Sequence, residues 1–534
     1  MTQPRALTWD WDAEAQAAGA SRDGRFNAAT MELAPERALI WRRTDGSTVT
    51  YSAAELQTLV GELAAGLVTL GVRQGDRVAG LVGRRPAAFI AALASWRIGA
   101  IYVPLFTGFG GEGLRVRLLD STPKAIVTDT PSRPALDAVA ADLPGLEVLL
   151  VDAPTTDGAL GLQDVRAREL PVPPLAETQL HDTATIIYTS GTTGLPKGCE
   201  MPHRAVISLR PFVRHCLAVA AGDVLFSGAD AGWSFGLLTT GLAPMALGVR
   251  RAIYEGPFDA TGWWQAIAEL DAHHAASAPT GFRQLARAGA AEIPPTFRAA
   301  TSAGEPLDVA TVEWFVEHAG VLIHDSYGLS ELGMITANLR DPWAPPVAAG
   351  SMGVAVPGFD VALLDSDGNP VQGEGTGRIA VRDNGFFMSA GYWDRQDEWD
   401  ARLVDGRFLT EDIARRDELG RYWYVARNDE IIVTAGYNVS PAEVEAVLLA
   451  HPLIVDAAAV GETDALKGHV VAAHVVLAAP EPEDLLGELR QWIGTQVGWH
   501  AAPRRCHIHS ELPRTASGKL RRGALTPPAD GARG

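Results

Sequence analysis

One segment, from Tyr188 to Gly198, most constrains what this chain can fold into. It reads YTSGTTGLPKG and follows a β-branched run at 183–187 that predicts a buried strand. Its glycines allow backbone N–H groups to turn toward one point, its hydroxyls add hydrogen-bond donors, and its lysine supplies a positive charge. The segment therefore predicts a polyphosphate-binding loop. The residues predicted to contact phosphate are Thr189, Ser190, Gly191, Thr192, Thr193, Gly194 and Lys197.

The loop lacks the Gly-Lys-Ser/Thr ending of a Walker loop, which argues against a P-loop NTPase. Runs of glycine, serine and threonine are usually ordinary turns, but so long a run directly after a strand favours the phosphate-binding interpretation. Beyond the loop, the apolar spacing over 204–219 predicts a helix.

Composition sets the class of protein. A chain of 534 residues exceeds the size of one domain, about 150 residues, so we expect two or more domains. The net charge of -19 argues against a nucleic-acid partner, so any polyphosphate site must be built from local donors. Three cysteines without metal-ligand spacing and the absence of an eighteen-residue apolar run predict a soluble cytoplasmic protein with no membrane partner.

Strand and helix patterns alternate on both sides of the loop, which predicts an α/β fold with parallel sheets covered on both faces. Ligands are expected at the carboxyl ends of such strands. A connection over 155–181 is predicted to lie on the surface. The predicted strands are 78–82, 101–105, 125–128, 224–227, 251–254, 275–278, 299–302 and 321–325, and the predicted helices before the loop begin at Ser52 and at Ala87.

Two polar motifs, TSAGEP at 301–306 and DSYGLSE at 325–331, follow predicted strands. The ring of Tyr327 can stack on a purine, the hydroxyl of Ser330 can donate to a phosphate, and the carboxylate of Glu331 can hold Mg²⁺. Either motif alone is more often a turn with a buried tyrosine, so this interpretation depends on the combination.

The character of the chain changes after Gly353. Short alternating strands up to Tyr424 predict an antiparallel subdomain, in or beside which Asp412 and Arg427 can hold ribose hydroxyls. A charged break at 427–430 predicts an interdomain hinge.

The segment after the break predicts a compact α+β domain of about 100 residues. Strands are expected at 431–433, 454–460 and 470–477, and helices from Pro441 and over 483–497. The tail PRTASGKL at 513–520 places Lys519 on a glycine-bearing loop that can reach into the cleft of another domain.

Together the six motifs resemble those of the adenylate-forming superfamily, which includes acyl-CoA synthetases, nonribosomal adenylation domains and firefly luciferase. The resemblance implies a large N-terminal domain of several subdomains at 1–427, a small mobile C-terminal domain at 428–534, and a hinge at Asp429. It assigns catalysis to Lys519 and Mg²⁺ binding to Glu331. It assigns nucleotide contacts to Gly304, Glu305, Pro306, Asp325, Ser326, Tyr327, Ser330, Asp412 and Arg427, and the tunnel for the pantetheine arm of CoA to Gly436 and Tyr437.

The implied reaction has two steps. A carboxylate attacks the α-phosphate of MgATP and releases pyrophosphate, and the CoA thiol then attacks the acyl-adenylate. Lys519 would bridge the two anions of the first step, while Lys197 would hold the pyrophosphate. Candidates for the acyl pocket, any of which can equally be core, are Trp233, Phe235, Thr280, Gly281, Ala303 and Gly328.

Within the superfamily, Ser517-Gly518-Lys519 favours a CoA ligase, because carrier-protein-loading domains typically read Asn-Gly-Lys there. The segments 229–237 and 436–440 are similar to those of medium-chain and aryl CoA ligases. A loader of a carrier protein, a luciferase-like oxygenase and a non-catalytic nucleotide-binding protein remain as alternatives.

Two positions depart from the family pattern. Glu411 stands where the family has glycine, and Asn438 where many members carry arginine. Glu411 adds a negative charge beside Asp412, and Asn438 lacks the positive charge of an arginine, so the sequence predicts a slow first half-reaction. A partner enzyme could then supply the acyl-adenylate. On this argument Glu411→Gly or Asn438→Arg would accelerate the first half-reaction.

Overall fold

The computed structural model describes residues 9–156, 158–189, 196–289, 293–427, 430–434, 437–464, 468–515 and 520–525. Several predicted features lie outside these residues. They are the phosphate-loop residues Ser190, Gly191, Thr192, Thr193 and Gly194, the hinge residue Asp429, the tunnel residue Gly436 and the catalytic Lys519, together with the side chains of Tyr437 and Asn438.

The strands alternate with helices through most of the chain. In order, the strands are β1 (Leu39–Arg42), β2 (Thr48–Tyr51), β3 (Arg77–Leu81), β4 (Ile101–Leu105), β5 (Ala125–Thr128), β6 (Glu147–Leu150), β7 (Leu160–Gly161), β8 (Thr183–Thr189), β9 (Lys197–Pro202), β10 (Val224–Ser227), β11 (Arg250–Tyr254), β12 (His274–Ser277), β13 (Ala299–Ala303), β14 (Ile323–Leu329), β15 (Gly333–Ala337), β16 (Val354–Ala355), β17 (Val361–Leu364), β18 (Gly375–Arg382), β19 (Gly391–Tyr392), β20 (Leu403–Val404), β21 (Arg407–Arg416), β22 (Tyr422–Arg427), β23 (Ile432–Thr434), β24 (Tyr437–Val439), β25 (Ile454–Asp464), β26 (Gly468–Leu477) and β27 (Arg505–Ile508).

The α-helices are α1 (Trp11–Ala17), α2 (Ala53–Thr69), α3 (Pro86–Arg97), α4 (Gly111–Ser121), α5 (Arg133–Asp137), α6 (Leu162–Ala167), α7 (Ala205–Ser208), α8 (Arg210–Phe212), α9 (Ala243–Met245), α10 (Ala260–Glu269), α11 (Pro279–Arg287), α12 (Val309–Ala319), α13 (Gln396–Asp400), α14 (Pro441–Leu449) and α15 (Leu485–Gln496). Short 3₁₀ helices cover Ala28–Thr30, Ala140–Asp142 and Arg522–Ala524, and π-helical turns cover Val213–Leu217 and Phe235–Leu242. None of the described helices is both long enough and apolar enough to cross a membrane.

Two large sheets form most of the protein. One has the strand order β16-β15-β14-β13-β12-β10-β11-β1-β2, and the other has the order β19-β9-β8-β4-β3-β5-β6-β7. The interior strands of both run parallel. In the first sheet β1 pairs antiparallel with β2, and β15 pairs antiparallel with both β14 and β16. In the second sheet β9 pairs antiparallel with both β8 and β19. Parallel strands need crossover helices, which explains the alternation in the sequence.

The side chains of each sheet alternate between two cores. Leu39 of β1 and Val78 of β3 face a central core that also contains Leu63 of α2 and Leu93 of α3, so these two helices pack between the sheets. Ile40 faces an outer core under α10, α11 and α12, whereas the opposite face of the second sheet packs on α4. Both sheets are therefore covered on both faces, as predicted.

The start of α2 follows the signal in its sequence. The Ser52 hydroxyl accepts a hydrogen bond from the Glu55 amide, and the Glu55 carboxylate accepts one from the Ser52 amide. This reciprocal capping box satisfies amide groups that the first turn of a helix leaves unpaired. Gly71, with a φ of 80°, follows the end of the helix, and a side chain there would be strained.

The predicted antiparallel subdomain and the small C-terminal domain are both present. Strands β17, β18, β20, β21 and β22 form one antiparallel sheet. In the C-terminal domain β25 pairs antiparallel with β26, which pairs parallel with β27, and α14 and α15 pack on one face of that sheet. Ser440 and Pro441 begin α14, as the sequence indicates.

Two local predictions were wrong, and one strand was missed. The segment 204–219 is not one helix: it divides into α7, α8 and a π-helical turn, because Pro211 cannot donate a backbone hydrogen bond. The strand β9, which begins at Lys197 and pairs with β8, was not predicted. The connection at 155–181 contains β7 and α6, and Leu162 and Val165 of α6 are buried.

Candidate active site

A cleft of about 750 Å³ lies at the carboxyl ends of β8, β13 and β14. Residues of α14, the start of β25 and the tail close its other side, so it lies between the two domains. Most predicted nucleotide-binding residues among those described line it. They are Thr189, Lys197, Gly304, Glu305, Pro306, Asp325, Ser326, Tyr327, Ser330, Glu331, Asp412 and Arg427, and the acyl-pocket candidate Gly328 joins them.

The predicted ribose pair is built by two neighbouring strands. Asp412 of β21 and Arg427 of β22 are register partners, so their side chains leave the sheet side by side. The Tyr327 hydroxyl donates to Asp412 Oδ2 over 2.5 Å. Burial, reinforced by this carboxylate, raises the pKa of Tyr327 well above its ordinary value, so the hydroxyl remains a donor. The carboxylate is thus held in place before any ligand arrives.

Asp325, at the centre of the second motif, is buried to 5% exposure and accepts a hydrogen bond from Ser302 Oγ over 2.8 Å. Burial raises the pKa of its carboxyl to about 8, although hydrogen bonds from Ser302 and from the Ser326 backbone oppose the shift. The side chain is therefore mainly protonated at neutral pH, and it positions β13 against β14 rather than supplying a charge.

This raised pKa predicts a pH-dependent cost in stability. Between about pH 4 and about pH 8 the folded state holds one proton more than the unfolded state at Asp325, so the stability of the folded state falls as the pH rises through that range. Asp325→Asn removes the ionisation. We expect the melting temperature of the variant, relative to the unmodified protein, to be higher at pH 8.5 than at pH 5.

The matched control is Asp367→Asn, which changes an exposed carboxylate in the turn between β17 and β18. For each variant, the difference in melting temperature from the unmodified protein is measured at both pH values. If this difference changes with pH to the same extent in Asp325→Asn and Asp367→Asn, the raised pKa of Asp325 is contradicted.

Glu331 and Lys197 are connected through Tyr392. The Tyr392 hydroxyl donates to Glu331 Oε1 over 2.7 Å, and Lys197 Nζ lies 5.3 Å from the centre of the Tyr392 ring. Lys197 also forms an ion pair with Glu398. The carboxylate oxygens at this end of the cleft are the kind of ligand that Mg²⁺ prefers, while the lysine supplies a cation for phosphate.

Tyr392, Arg395 and Glu398 were missed in the sequence. They reach the cleft because β19 pairs with β9, placing Tyr392 opposite Cys199. Arg395 donates to the Pro196 carbonyl over 3.1 Å and pairs with Asp120 over 2.9 Å, which fixes one end of the predicted phosphate loop. These two contacts join residues 199 and 275 positions apart, and the sequence signal for them was the density of charged residues at 394–402.

The structure contradicts the electrostatic argument about Glu411. Arg402 Nη1 lies 2.6 Å from Glu411 Oε1, and Arg378 Nη2 lies 3.3 Å from the same oxygen. Two guanidinium groups compensate one carboxylate, so Glu411 does not add an unbalanced negative charge beside Asp412. The predicted acceleration of the first half-reaction by Glu411→Gly is therefore wrong on electrostatic grounds, because this variant would leave two guanidinium groups without their carboxylate.

The other acyl-pocket candidates are placed around the cleft rather than on it. Within the described residues, the lining does not include Trp233, Phe235, Thr280, Gly281 or Ala303. The Trp233 ring centre lies 5.9 Å from that of Phe106 and 5.4 Å from that of Phe109. The neighbouring Ser234 hydroxyl lies 3.3 Å from the hydroxyl of Ser330, which does line the cleft. This aromatic cluster therefore adjoins the cleft through Ser234.

The remaining candidates have contacts of their own. Thr280 Oγ1 donates to Glu305 Oε2 over 2.6 Å and so orients a cleft carboxylate. A side chain at Gly281 would begin 2.3 Å from the Ser277 hydroxyl, which would have to rotate away, so α11 approaches β12 closely here. Ala303 is buried at the end of β13, and Phe235 is half-buried at the start of a π-helical turn.

The tail meets the cleft on both sides of the segment 516–519. Arg514 and Leu520 both line the cleft and pair with each other as an isolated β-bridge. Arg514 Nη2 lies 2.7 Å from Asp456 Oδ2, and Arg514 Nη1 lies 3.9 Å from Glu305 Oε1 across the domain boundary. The residues that flank Lys519 are thus held at the mouth of the cleft.

Comparison with known proteins agrees with this geometry. Residues 28–393 match the family model of the AMP-binding enzymes, and residues 443–519 match that of the AMP-binding enzyme C-terminal domain. The mitochondrial acyl-coenzyme A synthetase ACSM4 of Mus musculus is 30% identical over 91% of this chain and 86% of its own.

Two solved structures show the same architecture. The acyl-CoA synthetase of Brucella canis is 30% identical, with a TM-score of 0.75 and coverage of 98% of this chain and 97% of that one. A benzoate CoA ligase from Burkholderia xenovorans is 25% identical, with a TM-score of 0.80 and coverage of 94% and 99%. The chain therefore belongs to the family of AMP-binding enzymes, and it is an ATP-dependent acid–thiol ligase of the acyl-CoA synthetase type.

Proposed function

We propose that the residues lining the cleft bind MgATP and a small carboxylic acid, activate the acid as an acyl-adenylate and transfer the acyl group to CoA. The observation that carries this proposal is the convergence, in one cleft, of Lys197, Glu331, the Asp412–Arg427 pair and both flanks of the segment that contains Lys519.

In the first half-reaction the problem is to bring two anions together. Asp412 and Arg427 would hold the ribose, the loop from Thr189 to Lys197 would hold the β- and γ-phosphates, and Lys519 would bridge the carboxylate and the α-phosphate. Glu331, oriented by Tyr392, would hold Mg²⁺, which supplies neutralising charge for the phosphate oxygens when bound.

Lys197 needs to change partner for this role. In the structure it is paired with Glu398, which in turn lies 4.0 Å from Arg395. A polyphosphate carries more charge than one carboxylate, so we infer that it displaces Glu398, which keeps Arg395 as its partner.

The second half-reaction requires the acyl-adenylate to meet a thiol. We infer that the boundary between the domains is 427/428 and that the C-terminal domain rotates about Asp429. This rotation would withdraw Lys519 and bring Gly436 and Tyr437 to the tunnel for CoA.

The hinge can be tested by fixing its backbone. Asp429→Pro locks φ, so at least one half-reaction should slow by about tenfold or more, because the chain is held in one orientation. The control is Asp429→Ala, which removes the same carboxylate and leaves φ unrestricted. The assay is pyrophosphate release and, separately, thioester formation from a supplied acyl-adenylate. Unchanged rates of both steps in the proline variant would place the hinge elsewhere.

The aromatic side chains near Ser330 suggest which class of carboxylic acid the enzyme activates. Three aromatic rings, those of Phe106, Phe109 and Trp233, adjoin this side of the cleft, and a pocket beside them would favour an aryl or medium-chain acid over a polar one. The presence of a benzoate CoA ligase among the similar structures is consistent with this class.

The function is tested with a panel of carboxylic acids. AMP release is measured with and without CoA for benzoate, aminobenzoates, octanoate, acetate and malonate. We expect CoA-dependent AMP release with an aryl or medium-chain acid and a much lower rate with acetate or malonate. AMP release that depends on a carrier protein instead of CoA would favour a loader of a carrier protein, and AMP release that depends on a partner enzyme would favour an enzyme that receives its adenylate from that partner.

We also propose a cytoplasmic location, because Cys199, Cys216 and Cys506 are all free thiols.

A further inference from the structure

A second cluster of polar side chains lies on the three-stranded sheet of the C-terminal domain. Glu462 is on β25, His474 is on β26, and His507 is the register partner of His474 on β27. Glu462 Oε1 lies 2.7 Å from His507 Nε2 and 3.6 Å from His474 Nε2. One ligand atom from each side chain lies within 4.8 Å of the other two.

The three converging atoms are buried. Glu462 Oε1 and His507 Nε2 contact each other, whereas His474 Nε2 has no hydrogen-bond partner among the residues that the structure describes. Glu462 and His474 are each only 3% exposed. Buried polar atoms nearly always have a partner, so the unpartnered His474 Nε2, which lies beside the Glu462 and His507 atoms, indicates a ligand that all three side chains share.

Two other polar atoms of the cluster have partners outside it. Arg505 Nη1 donates to Glu462 Oε2 over 2.8 Å, which leaves Oε1 for another partner. His474 Nδ1 lies 2.9 Å from His509 Nε2, and the tautomer in which His474 Nδ1 donates to His509 leaves the lone pair of His474 Nε2 for a metal ion. Outer contacts of this kind orient imidazole and carboxylate ligands in metal sites.

We propose that Glu462, His474 and His507 bind one divalent transition-metal ion, for which Zn²⁺ is the best match. Two imidazole nitrogens and one carboxylate oxygen suit Zn²⁺, whereas Mg²⁺ and Ca²⁺ prefer sites made of oxygen atoms. The His507 side chain is 42% exposed although its Nε2 is buried, so the site lies just beneath the surface of the domain.

The site would stabilise the domain that carries the catalytic lysine. Its ligands come from all three strands of the sheet, and the tail that leads to Lys519 continues directly from β27. An ion held by β25, β26 and β27 together binds the folded domain and not the unfolded chain, so its binding raises stability by mass action.

The test uses the full chain, stripped of metal with a chelator and titrated with ZnCl₂ alone by calorimetry. We expect one ion per chain and a higher melting temperature with Zn²⁺. Glu462→Gln and His507→Ala should each weaken binding by about tenfold or more and abolish the thermal shift. The matched control is His469→Ala, since His469 is an exposed histidine on β26 outside the cluster.

A separate readout protects the test against folding failure. Co²⁺ bound by two imidazoles and a carboxylate gives visible absorption bands, which should be present in the unmodified protein and in His469→Ala and be lost in His507→Ala. Zinc binding of equal strength in all variants, or equal competition by MgCl₂, would show instead that the cluster is a histidine–carboxylate network without an ion and would overturn the proposal.

Discussion

Replacing Lys519 by alanine is expected to slow acyl-adenylate formation by ~10² or more while leaving thioester formation from a supplied acyl-adenylate nearly unchanged. The first step brings a carboxylate to a phosphate, and the lysine is the cation proposed to bridge them. The second step starts from an adenylate that carries less charge and has already lost pyrophosphate. Acid-dependent pyrophosphate release without CoA measures the first step, and thioester formation from synthetic adenylate measures the second.

The control for this variant is Lys124→Ala. Lys124 lies on the surface, 3.9 Å from Glu147, and far in sequence from the cleft motifs. It should leave both steps unchanged. An equal loss of both steps in Lys519→Ala would contradict the proposed role, because a residue needed in both orientations cannot be the bridge of the first alone.

The second large effect is expected at Asp412. Asp412→Ala should lower kcat/KM for ATP by about 10²-fold, since it removes charge-assisted hydrogen bonds to the ribose. The structure adds a more specific expectation. If the carboxylate holds a ribose hydroxyl, the unmodified protein should prefer ATP over its 2′- or 3′-deoxy analogue, and the variant should have lost that preference.

Tyr327→Phe is the matched partner of this variant. It keeps the ring and removes only the hydrogen bond that orients Asp412. It should produce a smaller loss and retain the preference for the ribose hydroxyl. An Asp412→Ala protein that still discriminates against the deoxy analogue as strongly as the unmodified one would place the ribose site elsewhere.

Much of the fold could be predicted because it depends on local patterns. The strands at 101–105, 125–128 and 224–227 have the predicted bounds, since buried parallel strands are short apolar runs between polar breaks. The segment 204–219 could not be predicted in this way. Most of its residues are buried on every side, so no periodicity distinguishes a helix, and Pro211 interrupts it.

The lining of the cleft could be predicted where it is formed by short contiguous motifs. Gly304, Tyr327 and Glu331 belong to such motifs and do line the cleft. Tyr392 and Glu398 were missed because only the pairing of β19 with β9 brings them there.

The effect of Glu411 could not be derived from its neighbour in sequence. The sign of the local field depends on Arg378 and Arg402, which come from other turns of the chain. The charge of one residue in the sequence therefore does not predict the electrostatic potential at a ligand site, because residues distant in sequence contribute to it.

The central claim is that the acid passes through an acyl-adenylate in this cleft, and isotope transfer tests it most directly. The reaction is run with ATP, CoA and an active carboxylic acid labelled with ¹⁸O in both carboxylate oxygens. Carboxylate attack on the α-phosphate predicts one ¹⁸O atom in each AMP formed and none in pyrophosphate. Unlabelled AMP, or label in inorganic phosphate released together with ADP, would contradict the account.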